Sequence, residues 1–543
     1  MADQSLKAHW RCLLACFLLC LSPLQYGLDF GLIGGFQAMP CFLEVYGYRD
    51  PNPMNPLGWN LTTVVQQLIS SLMTIGAFAG SLGAGPMSVY LGRKPCVWIA
   101  CVLCCASNAI MQGTTSIGAL YVGRTLIGIS NGFFMTFGQL YIQEVIPARY
   151  RGASIASFNV FTSLGALVGT VVDNFTAKMQ DKQCYRVPLS VIYAVPAIIF
   201  VCLFFIPESP RYLVSKGKFE QARKGLVWLR PTGSNIEAEI LSIEEAARLD
   251  KEMSESTGWL DLVRRPLDRK RTMLAVGAVT TQAASGAFFM IAYGTYFFEM
   301  AGVGNAFENS CILSGVGVAA ILFCVAIMPR FGRRRRFLTT SLIICGITQL
   351  IVAVVYTKRD KNNPEMTGKL IVAFSIIYIV AYNGGMSSFA WVVGGELPRQ
   401  SLRSYTFGAA AGVGFLGAWL AAFTAPYFIN PASLNWGPQY GYIWFPSCLL
   451  AAAFVFFFIP ETKDRTLEEI NELFEAGVPA RKWAGYRTST PSSSIQEKPL
   501  PATANTIEGG AIGKPIADAS VEMVEDVVHH DHHHGGRRSL EQV

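Results

Sequence analysis

Pro207-Glu208-Ser209-Pro210-Arg211-Tyr212-Leu213 and Pro460-Glu461-Thr462-Lys463-Asp464-Arg465 each close a long apolar run with a sudden return of charge. Two other motifs are doubled in the same order. Gly92-Arg93-Lys94 returns as Gly332-Arg333-Arg334, and Glu144 followed by Arg151 returns as Glu396 followed by Arg403. The copies lie 240, 252 and 253 residues apart. A repeat of that length, set among membrane-length apolar segments, predicts two homologous helical bundles side by side with a pathway between them.

Composition agrees with a bilayer protein. The 543 residues are 51% hydrophobic and 15% charged, against roughly 25% charged residues in soluble domains. Apolar windows of about 20 residues fall near 11–36, 62–90, 96–114, 118–143, 153–173, 188–206, 272–298, 310–329, 337–356, 369–394, 405–429 and 440–459. The expected fold class is therefore an all-α integral membrane protein with twelve transmembrane helices in two six-helix bundles. Its expected parts are an N-terminus (1–10), a first bundle (11–206), a linker (207–271), a second bundle (272–459) and a tail (460–543) that is mostly disordered after 475. The Ser, Thr and Pro run from Ser489 to Thr506 has too little apolar surface to order itself.

The loops carrying Arg93 and Lys94, Arg149 and Arg151, Arg333 to Arg336, and Arg399 and Arg403 share the side of both termini. By the positive-inside rule that side is cytoplasmic. The loop with Lys358, Arg359 and Lys361 disagrees. The net charge of +7 needs no nucleic-acid partner, because basic loops beside anionic lipid account for it. Two glycosylation acceptors, Asn60 and Asn174, fall on the predicted outer face. Cys41, Cys184 and Cys311 lie near that face and could pair. The His529–His534 tract sits in the tail and is assigned no function, so neither a metal site nor a cofactor is expected.

Charge inside an apolar span is costly and normally meets a partner or a water path. Asp29 in the first span and Arg124 in the fourth are such residues. A carboxylate paired with arginine in one state and protonated in another would couple protons to transport. Polar or flat side chains in the spans make candidate solute contacts: Gln282, Phe288 and Tyr293 in the seventh, Asn159 in the fifth, and Asn383 and Trp391 in the tenth. The Ser285-Gly286 step is expected to loosen the seventh span. Arg93, Glu144, Arg151, Glu208 and Arg211, with Arg333, Glu396, Arg403, Glu461 and Arg465, are expected to form an ionic gate linking the bundles on the inner side.

These motifs resemble the sugar porter family of the major facilitator superfamily, in a fungal member, over about residues 12–475. The resemblance implies cytoplasmic termini and alternating access around a central site, with the solute held mainly by the second bundle. It also implies proton symport through Asp29 and Arg124. The chain departs from the family in the seventh span, where two of three amides become Ala283 and Phe288. In the eleventh, Gly414 and Ala418 stand where Asn is usual. Losing amides favours a solute bulkier than a monosaccharide. Tyr293 to Gly302, together with Asn159, is similar to the α-glucoside and maltose permease branch.

The resulting reading is a monomeric, plasma-membrane secondary transporter of a sugar or sugar-like solute, with protons and the lipid bilayer as its other partners. Two alternatives stay open: a carrier of a specialised metabolite, and a sugar sensor that does not transport. No nucleophile with a positioned base and no nucleotide-phosphate loop is present, so neither an enzyme nor an ATP-driven pump is expected.

Overall fold

The computed structural model describes residues 6–51, 58–147, 151–179, 181–256, 260–331, 333–359, 364–399, 402–463, 465 and 467–486. Helices dominate because the apolar spans can satisfy their backbone hydrogen bonds internally. The first span is α1 (Trp10–Leu19) and α2 (Leu21–Phe36). A short α3 (Pro40–Tyr46) and the hairpin strands β1 (Tyr48–Arg49) and β2 (Trp59–Asn60) lead to α4 (Thr63–Leu91), α5 (Arg93–Gly113), α6 (Ile117–Val145) and α7 (Arg151–Thr176). The sixth span is α8 (Gln183–Ile192) and α9 (Ala194–Cys202).

Four polar helices form the linker: α10 (Pro210–Ser215), α11 (Phe219–Leu229), α12 (Ile236–Ser256) and α13 (Asp261–Arg264). The second half opens with α14 (Pro266–Ala284) and α15 (Ala287–Met300), followed by α16 (Ala306–Phe331), α17 (Arg334–Thr357), α18 (Pro364–Ala381) and α19 (Ser387–Glu396). It continues through α20 (Arg403–Ile429) and α21 (Gly441–Phe458) to α22 (Leu467–Glu475).

Ten helical segments among the described residues are long and apolar enough to cross a membrane. The expected spans 118–143 and 153–173 lie on α6 and α7, which have 29 and 26 residues and fall outside those ten. Their polar groups face inward: Arg124, Ser130, Asn131 and Asp173 are all buried. The apolar interior splits in two. One core gathers α1 to α9, and a second gathers α14 to α22. The halves meet where α4 packs on α20, α7 on α16 and α2 on α15.

The described chain runs past residue 475 to 486, into the tail that the sequence expects to be mostly disordered. Trp483 is 1% exposed in a 3-10 turn (Ala480–Gly485), its ring stacks edge-on against Phe474, and Arg465 donates to the carbonyls of Trp483 and Tyr486. One tryptophan supplies enough buried area to hold a short segment. The linker is likewise docked. Arg230 pairs with Glu239 of α12 at 2.6 Å and donates to the carbonyl of Val145 at the end of α6 at 2.9 Å. Residues 487–543, including the histidine tract, lie outside the described part.

Two ends of the molecule can be told apart. At one, a disulfide joins Cys41 on α3 to Cys184 on α8. Cys311 is a free thiol. At the other sit the doubled ionic motifs.

Candidate functional site

A cavity of about 230 Å³ lies between the halves. From the first half it is lined by Tyr26, Gly27, Phe30, Gly31 and Gly34 of α2 and by Asn159, Thr162 and Ser163 of α7. From the second come Gln282, Phe288, Asn383, Trp391 and Phe415. Five of the six expected contacts are thus brought together. The sixth, Tyr293, is corrected: it is fully buried away from the cavity, and its hydroxyl donates to the carbonyl of Ala422 at 2.7 Å. An apolar helix carries aromatic rings on every face, and sequence spacing alone does not say which face is the lining.

The local backbone shapes this lining. Between α14 and α15, Gly286 adopts φ 80°, a left-handed conformation that glycine enters without Cβ penalty, so the seventh span breaks where the Ser-Gly step predicted. A Cβ there would also strike the Trp444 ring at 2.7 Å. The Gln282 amide, one residue pair before the break, donates to the carbonyl of Ser387 at 2.9 Å. Asn383 lies in a π-turn (Tyr382–Met386), a local widening that often marks functional positions. Gly414 joins the lining where an amide had been expected from the family pattern. Apolar and aromatic walls with a few amides suit a solute that has both hydroxyls and a flat face.

Behind the α2 wall lies an ion pair. Arg124 Nη1 is 2.9 Å from Asp29 Oδ1, and the two side chains are each 2% exposed. Arg124 also donates to the carbonyl of Ile69 at 2.9 Å, and Asn131 donates to the second Asp29 oxygen at 3.5 Å. The pair expected from sequence is therefore in contact. It sits on the same helix, α2, whose other side lines the cavity.

The ionic motifs are arranged differently from the expectation of a gate linking the two bundles. In the first half, Arg93 grips Glu144 through two hydrogen bonds of 2.9 and 2.7 Å, while the backbone N–H groups of Arg93 and Lys94 donate to Glu208. Ser209 donates to Glu144. The second half repeats the pattern with fewer bonds. Arg334 reaches Glu396 at 3.2 Å, its N–H donates to Glu461 at 2.9 Å, and Thr462 donates to Glu396 at 2.6 Å. Among the described residues, each network closes within its own half.

Arg334, not Arg333, is the counterpart of Arg93, because α17 begins one residue later than the motif alignment suggested. Arg211, Arg333 and Arg403 are exposed, and among the described residues none of them pairs with these carboxylates. Arg465 turns instead to Glu469 at 3.7 Å and to the terminal segment. The Arg151 side chain lies outside the described residues. Burial pushes the Glu208 carboxyl above its ordinary range, against the opposing pull of the Ser209, Lys94 and Arg93 N–H groups and the Arg93 charge.

A set of contacts that the sequence did not disclose joins the halves at the disulfide end. Asn430 donates to Gln66 at 2.8 Å and to the carbonyl of Leu61 at 3.0 Å, and accepts from Asn60 at 3.3 Å. Thr63 and Ser433 share a hydrogen bond of 2.6 Å. Asn60, an expected glycan acceptor, is 2% exposed with both amide atoms engaged here. Asn174 lies within α7 with its carbonyl oxygen buried. Polar residues at span ends are usual, and only the fold shows that these face one another.

A model of the family described as "Sugar (and other) transporter" matches residues 15–474. The chain is 29% identical over 480 residues to the major facilitator-type transporter ecdD of Aspergillus rugulosus, covering 86% of this chain and 87% of that one. It is 27% identical over 507 residues to the hexose transporter HXT10 of Saccharomyces cerevisiae, covering 90% of each. The proton:xylose symporter XylE bound to 6-bromo-6-deoxy-D-glucose shares the fold, with a TM-score of 0.66 at 19% identity over 85% of this chain and 99% of that one.

Proposed function

We propose that this chain, which belongs to the Sugar (and other) transporter family of the major facilitator superfamily, carries a hexose, disaccharide or related solute together with protons by alternating access. As a member of that family it is a multi-pass membrane transporter rather than an enzyme. The observation that carries the coupled reading is the dry Asp29–Arg124 pair on the helix that also lines the cavity. Protonating Asp29 removes the attraction that fixes α2 to α6, while Arg124 keeps the Ile69 carbonyl as an acceptor. Solute binding against Tyr26, Phe30 and Gly34 acts on the same helix. One rigid element thus feels both ligands, which is what coupling requires.

Three features support orientation and state. The Cys41–Cys184 disulfide supports an outward-facing position for its end, since such bonds persist in oxidising compartments. The basic loops support a cytoplasmic position for the opposite end and both termini. The Asn60–Asn430 and Thr63–Ser433 contacts close the outer end, so the networks within each half brace bundles that separate on the inner side. The protein works as a monomer in the plasma membrane, twelve helices in two bundles. Of the residues behind the α-glucoside likeness, Asn159 lines the cavity and Tyr293 does not, so hexose and disaccharide are both substrates to try.

The test is uptake of labelled glucose and maltose, with and without a proton uncoupler, in yeast lacking its own hexose and maltose carriers. Uncoupler-sensitive accumulation of either sugar is expected. No entry of either, with surface expression confirmed, contradicts the sugar reading and favours a specialised metabolite, for which the mostly apolar lining and the likeness to ecdD speak.

A further inference from the structure

Asp173, near the outer end of α7, is 1% exposed, and neither carboxylate oxygen has a hydrogen-bond partner among the described residues. It belongs to a close helix contact between α2 and α7. Gly27, Gly31 and Gly35 of α2 face Thr162, Ala166 and Asp173 of α7, and Gly165 and Gly169 of α7 face the α2 backbone in return. Each glycine sits so close to the opposing helix that a methyl would collide; at Gly35 the methyl would land on the Asp173 carboxyl. The missing Cβ at Gly35 makes the slot that holds the acid.

Among the described residues, no cation answers this carboxyl. Along α2, Asp29 lies nearer the centre and is already paired with Arg124. From the second half, α16 brings Cys311, whose thiol donates to the carbonyl of Thr170 at 3.2 Å, with Glu308 one turn before it. From α8 come Cys184, held in the disulfide, and Tyr185, which packs on Phe42 and Tyr46. On α7 itself Lys178 is exposed beyond the helix end. An ionised carboxylate without a partner in such surroundings takes up a proton instead.

We propose that Asp173 is a second proton-binding group of the transport cycle, occupied while the outer end is closed and exchanging with outer water when α16 parts from α7. On closing, the carboxylate takes one proton from hydronium, leaving water; on opening, the carboxylic acid returns it to water. No other reactant is needed. The carboxyl's neutrality stands on geometry alone, whereas its exchange during the cycle rests on the alternating-access reading above.

Two measurements on the full-length protein in lipid nanodiscs separate those parts, and neither requires a transported solute. The first is infrared spectroscopy of the carbonyl region. We expect a protonated carboxylic-acid band at neutral pH that survives in Asp29→Asn and is lost in Asp173→Asn. Should Asp173→Asn fail to fold, Gly35→Ala serves, since its methyl displaces the carboxyl and must shift or remove that band. A carboxylate band in place of the acid band overturns the proposal.

The second measurement is the distance between spin labels on Thr63→Cys and Ser433→Cys, followed across pH in an Asp29→Asn background. The open-to-closed ratio is expected to rise by up to about tenfold per pH unit for one proton, and to lose that dependence when Asp173→Asn is added. A pH response that Asp173→Asn leaves unchanged, or none before it is added, contradicts proton exchange at this site.

Discussion

Gln282 shows how little chemistry the cavity needs to select a solute. Its amide is fixed by the bond to Ser387 and faces a mostly apolar lining. Truncation by Gln282→Ala removes a donor and acceptor worth about 1–1.5 kcal/mol to a hydroxylated ligand, so KM for the transported sugar should rise about tenfold with the maximal rate nearly unchanged. An unaltered KM would place the solute elsewhere. Asp29 and Arg124 were legible in the sequence because charge in an apolar span demands a partner. Tyr293 misled because an aromatic ring in such a span is as satisfied in the core as at a cavity. Asn430 could not be foreseen, since its partners Asn60, Leu61 and Gln66 lie more than 360 residues away.

Between helices, contact distance decides what is tolerated. A Cβ at Gly165 would press on the backbone carbonyl of Leu24, which cannot rotate aside, whereas Gly83 has nothing within 4 Å. Gly165→Ala should lower the melting temperature by the equivalent of about 1–3 kcal/mol of overpacking, and Gly83→Ala should leave it close to wild type. Equal effects would mean that the α2–α7 seam is looser than described. The ionic motifs make a second prediction at this scale. Because each closes within its own half, the destabilisations of Glu144→Gln and Glu396→Gln should add to within about 0.5 kcal/mol. Strong coupling between them would restore a bridge across the halves.

The doubled motifs and the break at Gly286 were readable, because polar repeats and a Ser-Gly step survive as local signals. The π-turn at Tyr382–Met386 and the one-residue shift from Arg333 to Arg334 were not. Both depend on where a helix starts or widens, and packing sets that rather than composition.

At the scale of the whole molecule, two separate cores meet along three helix pairs, α4 on α20, α7 on α16 and α2 on α15, with polar contacts between them at the disulfide end, and the proposed cycle needs those seams to part. The hydroxyls of Thr63 and Ser433 meet at 2.6 Å across the disulfide end, so a Thr63→Cys, Ser433→Cys pair should oxidise to a disulfide that stops transport, with reductant restoring it. Transport that persists with the cross-link formed would exclude opening at that end.

The central claim, that Asp29 links protons to solute, is tested most directly by Asp29→Asn. Asparagine keeps the shape and the contact with Arg124 while fixing the site in a neutral form. Uphill accumulation and solute exchange of the transported sugar should be compared in wild-type and variant proteoliposomes carrying an imposed proton gradient. The account predicts that accumulation disappears while exchange at equal concentrations continues. Accumulation that survives in the variant would contradict it.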